Sequence, residues 1–194
     1  IGDGSLSDLL FATTAAAAFS GCNNLNTIGN QVLSNNPDLS VSTNLLVNCN
    51  AILTIGDDFL RKTGLTSVDS LFAGRTTIKT VGNGVFSNMR RLTTARSVFN
   101  ACSGLTSVGD NLLANNESLT DASYVLNSCT ILKSIGNGML AYTPNLTTIT
   151  TLFYSTPIET IGDDFCRGSG ITGLDSYFRL DTTLKSIEIG RAHV

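Results

Sequence analysis

The stretch Val81–Ser107, VGNGVFSNMRRLTTARSVFNACSGLTS, decides how this chain folds. Versions of it begin at Ile1, Ile28, Ile55, Val81, Val108, Ile135 and Ile161, and an eighth opens at Ile187, in steps of 27, 27, 26, 27, 27, 26 and 26 residues. A fixed period in this range marks a solenoid, whose coils touch only their neighbours, and it outranks any local propensity.

Within the period, each column of residues has a reading. Gly stands second in every complete coil: Gly2, Gly29, Gly56, Gly82, Gly109, Gly136 and Gly162. Gly reaches backbone angles closed to other residues, so it is expected to turn the chain out of a strand. Asp3, Asn30, Asp57, Asn83, Asp110, Asn137 and Asp163 follow, in strict alternation, and are expected to cap the amides of a short helical turn. In stacked coils that alternation lets each carboxylate neighbour an amide donor rather than a like charge. An inward anchor comes next: Leu6, Leu33, Leu60, Phe86, Leu113, Leu140 and Cys166.

The second half of each coil echoes the first. It opens on Leu39, Leu65, Leu92, Leu119, Leu146 or Ile171, and carries a second anchor at Phe19, Leu46, Phe72, Phe99, Leu126, Phe153 and Phe178. It closes on Leu25, Ile52, Ile78, Leu105, Leu132, Ile158 and Leu184. A half of about 13 residues is too short for two extended stretches and two bends, so the structural coil is the whole period. The predicted coil is a strand, a helical turn, a second short extended stretch and a second helical turn.

The I-G-D/N-x-x-F/L runs, and the F-x-x-C-x-x-L runs at Phe19-Cys22-Leu25 and Phe99-Cys102-Leu105, resemble the BspA-like class of bacterial leucine-rich repeats. The likeness covers nearly the whole chain, although a coil of 26 to 27 residues with an internal echo is longer than the commonest form of that class. It implies an α/β repeat fold, a right-handed solenoid of short parallel strands and short helical turns. Residues 1–188 are expected to form one solenoid of about seven coils, a fragment uncapped at both ends.

The ends support that expectation. Ile1 falls at a repeat boundary, and no polar capping coil precedes it. After Ser186-Ile187 the repeat calls for Gly, but the chain reads Glu188 and then Ile189-Gly190-Arg191-Ala192-His193-Val194. That hexapeptide translates ATC GGA AGA GCA CAC GTC, the start of a common sequencing adapter. We therefore read residues 189–194 as a non-native tail on a truncated metagenomic fragment.

Composition narrows the function. The net charge is −3 and only 14% of residues are charged, which argues against nucleic acid or an anionic membrane as partner. No apolar run approaches the roughly 18 to 20 residues that span a bilayer, so no membrane insertion is expected of this fragment. The one His, His193, lies in the suspect tail, leaving no imidazole for a His-dependent triad or zinc site. Asp57-Asp58 and Asp163-Asp164 are adjacent pairs whose first members sit in the capping column, and the glycine runs lack a P-loop Lys-Ser/Thr. The calcium-binding G-G-x-G-x-D repeat is absent as well. No catalytic, metal or cofactor site is expected, and the chain is not read as an enzyme.

Cys22, Cys49, Cys102 and Cys129 share one column, and Cys166 replaces an anchor. Stacked side chains point the same way, which suits a disulfide dihedral poorly, so all five are expected as buried free thiols. Asn116-Glu117-Ser118 and Asn145-Leu146-Thr147 match the glycosylation sequon.

The remaining variable column lies one residue before each strand: Asn26, Leu53, Lys79, Thr106, Lys133, Glu159 and Lys185. These residues follow an inward Leu or Ile directly and should face outward. Lys79, Thr106, Lys133, Glu159 and Lys185 form the expected binding face, a basic stripe interrupted by Glu159. The BspA-like resemblance implies a non-enzymatic adhesion module of a cell-surface or secreted bacterial protein, binding a host or cell-surface protein or glycan. A phage tail-associated receptor-binding repeat and a structural spacer are the alternatives.

Overall fold

The computed structural model describes residues 1–172 and 184–187. Phe178, Glu188 and the tail 189–194 with His193 lie outside the described residues. Seven two-residue strands recur at the repeat period: β1 (Thr27–Ile28), β2 (Thr54–Ile55), β3 (Thr80–Val81), β4 (Ser107–Val108), β5 (Ser134–Ile135), β6 (Thr160–Ile161) and β7 (Ser186–Ile187). They form one parallel sheet in sequence order, β1 to β7. Its register, Thr27 opposite Thr54 and Ile55 opposite Val81, is the repeat itself. A second parallel ladder runs through single bridges at Thr14–Val41 and then Ser67–Thr94–Asp121–Thr148, the expected second extended stretch. The fold is thus a solenoid of stacked coils.

The core is one continuous cluster built from both anchor columns and from the columns that open and close the second half of the coil. Phe59, Phe72, Phe86 and Phe99 are fully buried in the middle coils. Phe72 and Phe99 stack at 5.4 Å between centroids and 2° between planes. The first coil departs from the pattern: Leu6 is 42% exposed, and Phe19 and Leu25 are half-buried.

Among the described residues there is no helix, so the segments between the strands are not the expected helical turns. They are turns in which alternate residues are left-handed. In coil 2 these are Gln31 (φ 57°), Leu33 (φ 59°) and Asn35 (φ 56°), and the same three positions have positive φ in all seven coils. Such angles are costly for residues other than Gly, Asn and Asp. The compensation is hydrogen bonding between coils. Gln31 N–H and Asn35 N–H donate forward to the carbonyls of Asp57 and Arg61, while Leu33 N–H donates back to Ser5. A helix would turn those amides inward to its own coil; here they hold the stack together.

The repeated glycines serve the same stacking. None of Gly29, Gly56, Gly82, Gly109, Gly136 and Gly162 has a left-handed φ, contrary to the expectation that they supply a special turn. A Cβ on Gly82 would stand 2.5 Å from Asp57 Oδ1, 2.6 Å from Asp57 N and 2.6 Å from the carbonyl carbon of Gly56. The column is Gly because the backbone of the preceding coil occupies that space.

Candidate functional site

The Asp/Asn column follows these glycines, and its side chains bind across coils rather than within one. Asp3 Oδ1 accepts Asn30 N–H at 2.7 Å, Asn30 Oδ1 accepts Asp57 N–H at 2.8 Å, and Asp57 Oδ1 accepts Asn83 N–H at 2.7 Å. Asn83, Asp110 and Asn137 continue the chain to Asp163 at 2.7 to 2.8 Å. Asp and Asn each offer the one acceptor required, which is why both types serve. The column is a ladder of side-chain acceptors along the outside of the stack. The second carboxylates of the paired sites, Asp58 and Asp164, bond Arg61 and Arg167 of their own coils at 3.3 and 3.2 Å.

The cysteine column has a parallel role. Cys49, Cys102 and Cys129 donate their S–H groups to the carbonyls of Phe19, Phe72 and Phe99, the second anchors one coil back, at 2.9, 3.1 and 3.3 Å. Thr156 Oγ1 does the same for Leu126 at 2.6 Å, and Arg75 Nη2 for Leu46 at 2.7 Å. The first half of the coil echoes this arrangement. Asn116 Nδ2 donates to Phe86 and Leu113 carbonyls at 2.8 and 2.9 Å, and its Oδ1 accepts Met89 N–H at 2.7 Å. In most of the described half-coils, then, the residue three after the anchor is a donor for an anchor carbonyl that burial would otherwise leave unpaired; Leu9 and Met89 are exceptions. Asn116 is fully buried, which removes the first sequon as a glycan acceptor.

All five cysteines are free. Cys49, Cys102 and Cys129 are buried as expected, whereas Cys22 is exposed and Cys166 half-buried. Burial pushes the thiols of Cys49 and Cys129 up, that of Cys102 to about 11 and that of Cys166 to about 12. These are poor nucleophiles at neutral pH.

The variable column is exposed at Asn26, Leu53, Lys79, Thr106, Lys133 and Lys185, and half-exposed at Glu159. The Thr or Ser that follows is also exposed or half-exposed, so simple alternation does not hold. The backbone explains it: Leu53 N–H and Thr54 N–H both donate to Asn26 carbonyl, and Lys79 and Thr80 both to Leu53. Two successive amides on one acceptor bend the chain as a bulge does, and two side chains face out together.

The lysines of this face do not form an uncompensated stripe. Lys133 Nζ lies 2.9 Å from Glu159 Oε1, and Lys185 Nζ bonds Glu159 Oε2. The hydrogen bonds from Lys185 and Lys133 hold the Glu159 carboxyl down at about 2. Lys79 has no ion-pair partner among the described residues. Among those residues no three of His, Cys, Asp or Glu gather as a metal site, and no helix is long and apolar enough to cross a membrane.

Comparison with protein-family models gave no match, and comparison with curated proteins gave none either. Among solved structures the chain is similar to a leucine-rich repeat protein from Bacteroides ovatus, at 16% identity and a TM-score of 0.23, over 90% of this chain and 63% of that one. The chain thus spans less than two thirds of that protein's length. A score this low adds nothing to what the coil geometry itself shows.

Proposed function

We propose that the chain is a non-enzymatic binding module, a BspA-like leucine-rich-repeat solenoid of a surface or secreted bacterial protein. The observation that supports this reading is the exposed column from Asn26 to Lys185. Its residues differ from coil to coil while the columns on either side stay Leu or Ile and Thr or Ser. A stack with a spacing of about 4.8 Å presents such a column as a long ruler of interchangeable side chains. Glu159 takes up the charge of Lys133 and Lys185, so the face suits a protein surface or a weakly charged glycan better than a polyanion. The test is to screen the parent against host matrix proteins and neutral and acidic glycans, beside a variant with Lys79, Lys133 and Lys185 all changed to Ser. A ligand that binds the parent and loses at least tenfold in affinity to the variant at low salt supports the face. Equal binding by both places the site elsewhere.

A further inference from the structure

Coil 3 is one residue short at one corner. Five residues separate the anchor from the residue that opens the second half in coil 2 (Leu33 to Leu39) and in coil 4 (Phe86 to Leu92), but four do so in coil 3 (Leu60 to Leu65). The last two of the five make the corner. They are Pro37-Asp38 in coil 2 and Arg90-Arg91 in coil 4, whereas coil 3 has Gly64 alone, which carries no side chain. The corner of coil 3 is thus a notch between two full-length neighbours. Those neighbours are two coils apart, about 10 Å at the ladder spacing. The cavity between them holds about 560 Å³, within the range of small-molecule pockets. The later corners are bonded together instead: Ser118 Oγ donates to the Arg90 carbonyl at 2.7 Å, and Asn145 Nδ2 to the Glu117 carbonyl at 2.8 Å.

Positive charge gathers in this notch without a partner. Ten Lys and Arg lie among the described residues, and the side chains of six bond a carboxylate or a carbonyl: Arg61, Arg75, Arg96, Lys133, Arg167 and Lys185. Of the four that do not, Lys62, Arg90 and Arg91 all line the notch, and Lys79 lies elsewhere. All three are exposed. Two carboxylates stand close by: Asp38 lines the same cavity, and Glu117 follows Arg90 in its column one coil on. Neither forms an ion pair among the described residues.

We propose that the notch binds an acidic sugar, a uronic acid residue of a glycan, by its carboxylate. Lys62 and the guanidinium groups of Arg90 and Arg91 receive that carboxylate, a guanidinium being able to hold both its oxygens at once. Asp38 decides against a bare anion. Its carboxylate repels a sulfate or a fully ionised phosphate, but it accepts the hydroxyl donors that a sugar carries beside its acid group. Asn35 and Asn88 stand in the column of Lys62, on either side of it, and add amide donors and acceptors for further hydroxyls. Leu10 and Pro37 supply apolar contact for the C–H face of the ring. The notch shares no residue with the exposed column from Asn26 to Lys185, so it stands or falls apart from the reading of that face.

A titration followed by nitrogen-15 NMR tests this on the intact chain, with methyl β-glucuronide as the probe. Millimolar glucuronide should shift the side-chain Nε–H signals of Arg90 and Arg91 and the backbone amides of Lys62, Thr63 and Gly64, and leave those of Lys79 and Lys133 in place. Methyl β-glucoside, which keeps the other hydroxyls but lacks the carboxylate, should bind at least tenfold more weakly. Changing Arg90 and Arg91 together to Ser should weaken the glucuronide at least tenfold. Asp38→Asn should lower the preference for glucuronide over sulfate at least threefold. No shift at the notch, equal binding of the glucoside, or unchanged binding by the double Arg variant would overturn the proposal. So would sulfate, or an acetylated and amidated Asp-Glu peptide, binding the parent as tightly as the glucuronide, or a preference over sulfate that Asp38→Asn leaves unchanged.

Discussion

Replacing Gly82 by Ala isolates the contact that sets the spacing between coils. The new methyl would meet Asp57 Oδ1, Asp57 N and the Gly56 carbonyl carbon at 2.5 to 2.6 Å, and two of those three are backbone atoms. Relief requires coils 3 and 4 to part, which stretches the bonds from Gly82 N–H to Ile55 carbonyl at 2.8 Å and from Asn83 N–H to Asp57 Oδ1 at 2.7 Å. Overpacking costs about 1 to 3 kcal/mol, and each of the two weakened bonds about 1 kcal/mol more, so the expected loss is about 3 to 5 kcal/mol. Gly2 is the control. It occupies the same column, but a Cβ there meets nothing nearer than Ser5 Oγ at 3.9 Å. Gly2→Ala should change stability by less than about 1 kcal/mol. Urea unfolding followed by circular dichroism separates the two: Gly82→Ala should lower the midpoint by more than about 1 M, and Gly2→Ala should leave it nearly in place. Equal losses would mean that the column is Gly for its dihedral angles, and the stacking argument would be wrong.

Asn116→Ala removes three buried hydrogen bonds and leaves two carbonyls and the Met89 amide without their partner, so it should cost about 3 kcal/mol or more in the same assay. Thiol labelling of native protein should be fast at Cys22, slower at Cys166 and negligible at Cys49, Cys102 and Cys129, while urea releases all five; rapid labelling of Cys102 would contradict its burial. Because Glu159 has a folded pKa of about 2, below its ordinary 4.5, its ion pairs stabilise the fold above pH 4.5. That contribution fades as pH falls from 4.5 toward 2. Glu159→Gln should therefore narrow the difference in melting temperature between pH 6 and pH 3, and 1 M salt should shrink the effect of the substitution.

Much of the fold was legible because a solenoid writes its contacts into its period. The apolar columns Leu33, Leu60 and Phe86, or Ile52, Ile78 and Leu105, are buried as their recurrence implies. The partner of each repeated polar residue was not legible. A Gly required by a dihedral and a Gly required by a neighbouring backbone look the same in sequence, and only Gly82 lying against Gly56 and Asp57 separates them. Asp57 as a helix cap and Asp57 as an acceptor for Asn83 are equally indistinguishable, since the partner is a backbone amide common to every residue type. The cysteine column reads as small hydrophobes until the stack brings Cys102 Sγ to the Phe72 carbonyl.

Spin labels on the variable column test the stacked coil most directly. With Cys22 replaced by Ser, cysteine pairs at Asn26 and Lys133, Leu53 and Lys185, and Asn26 and Lys185 lie four, five and six coils apart. At about 4.8 Å per coil, pulsed dipolar spectroscopy should give backbone separations near 19, 24 and 29 Å, rising in even steps. Distances that do not increase with the number of intervening coils would contradict the solenoid itself.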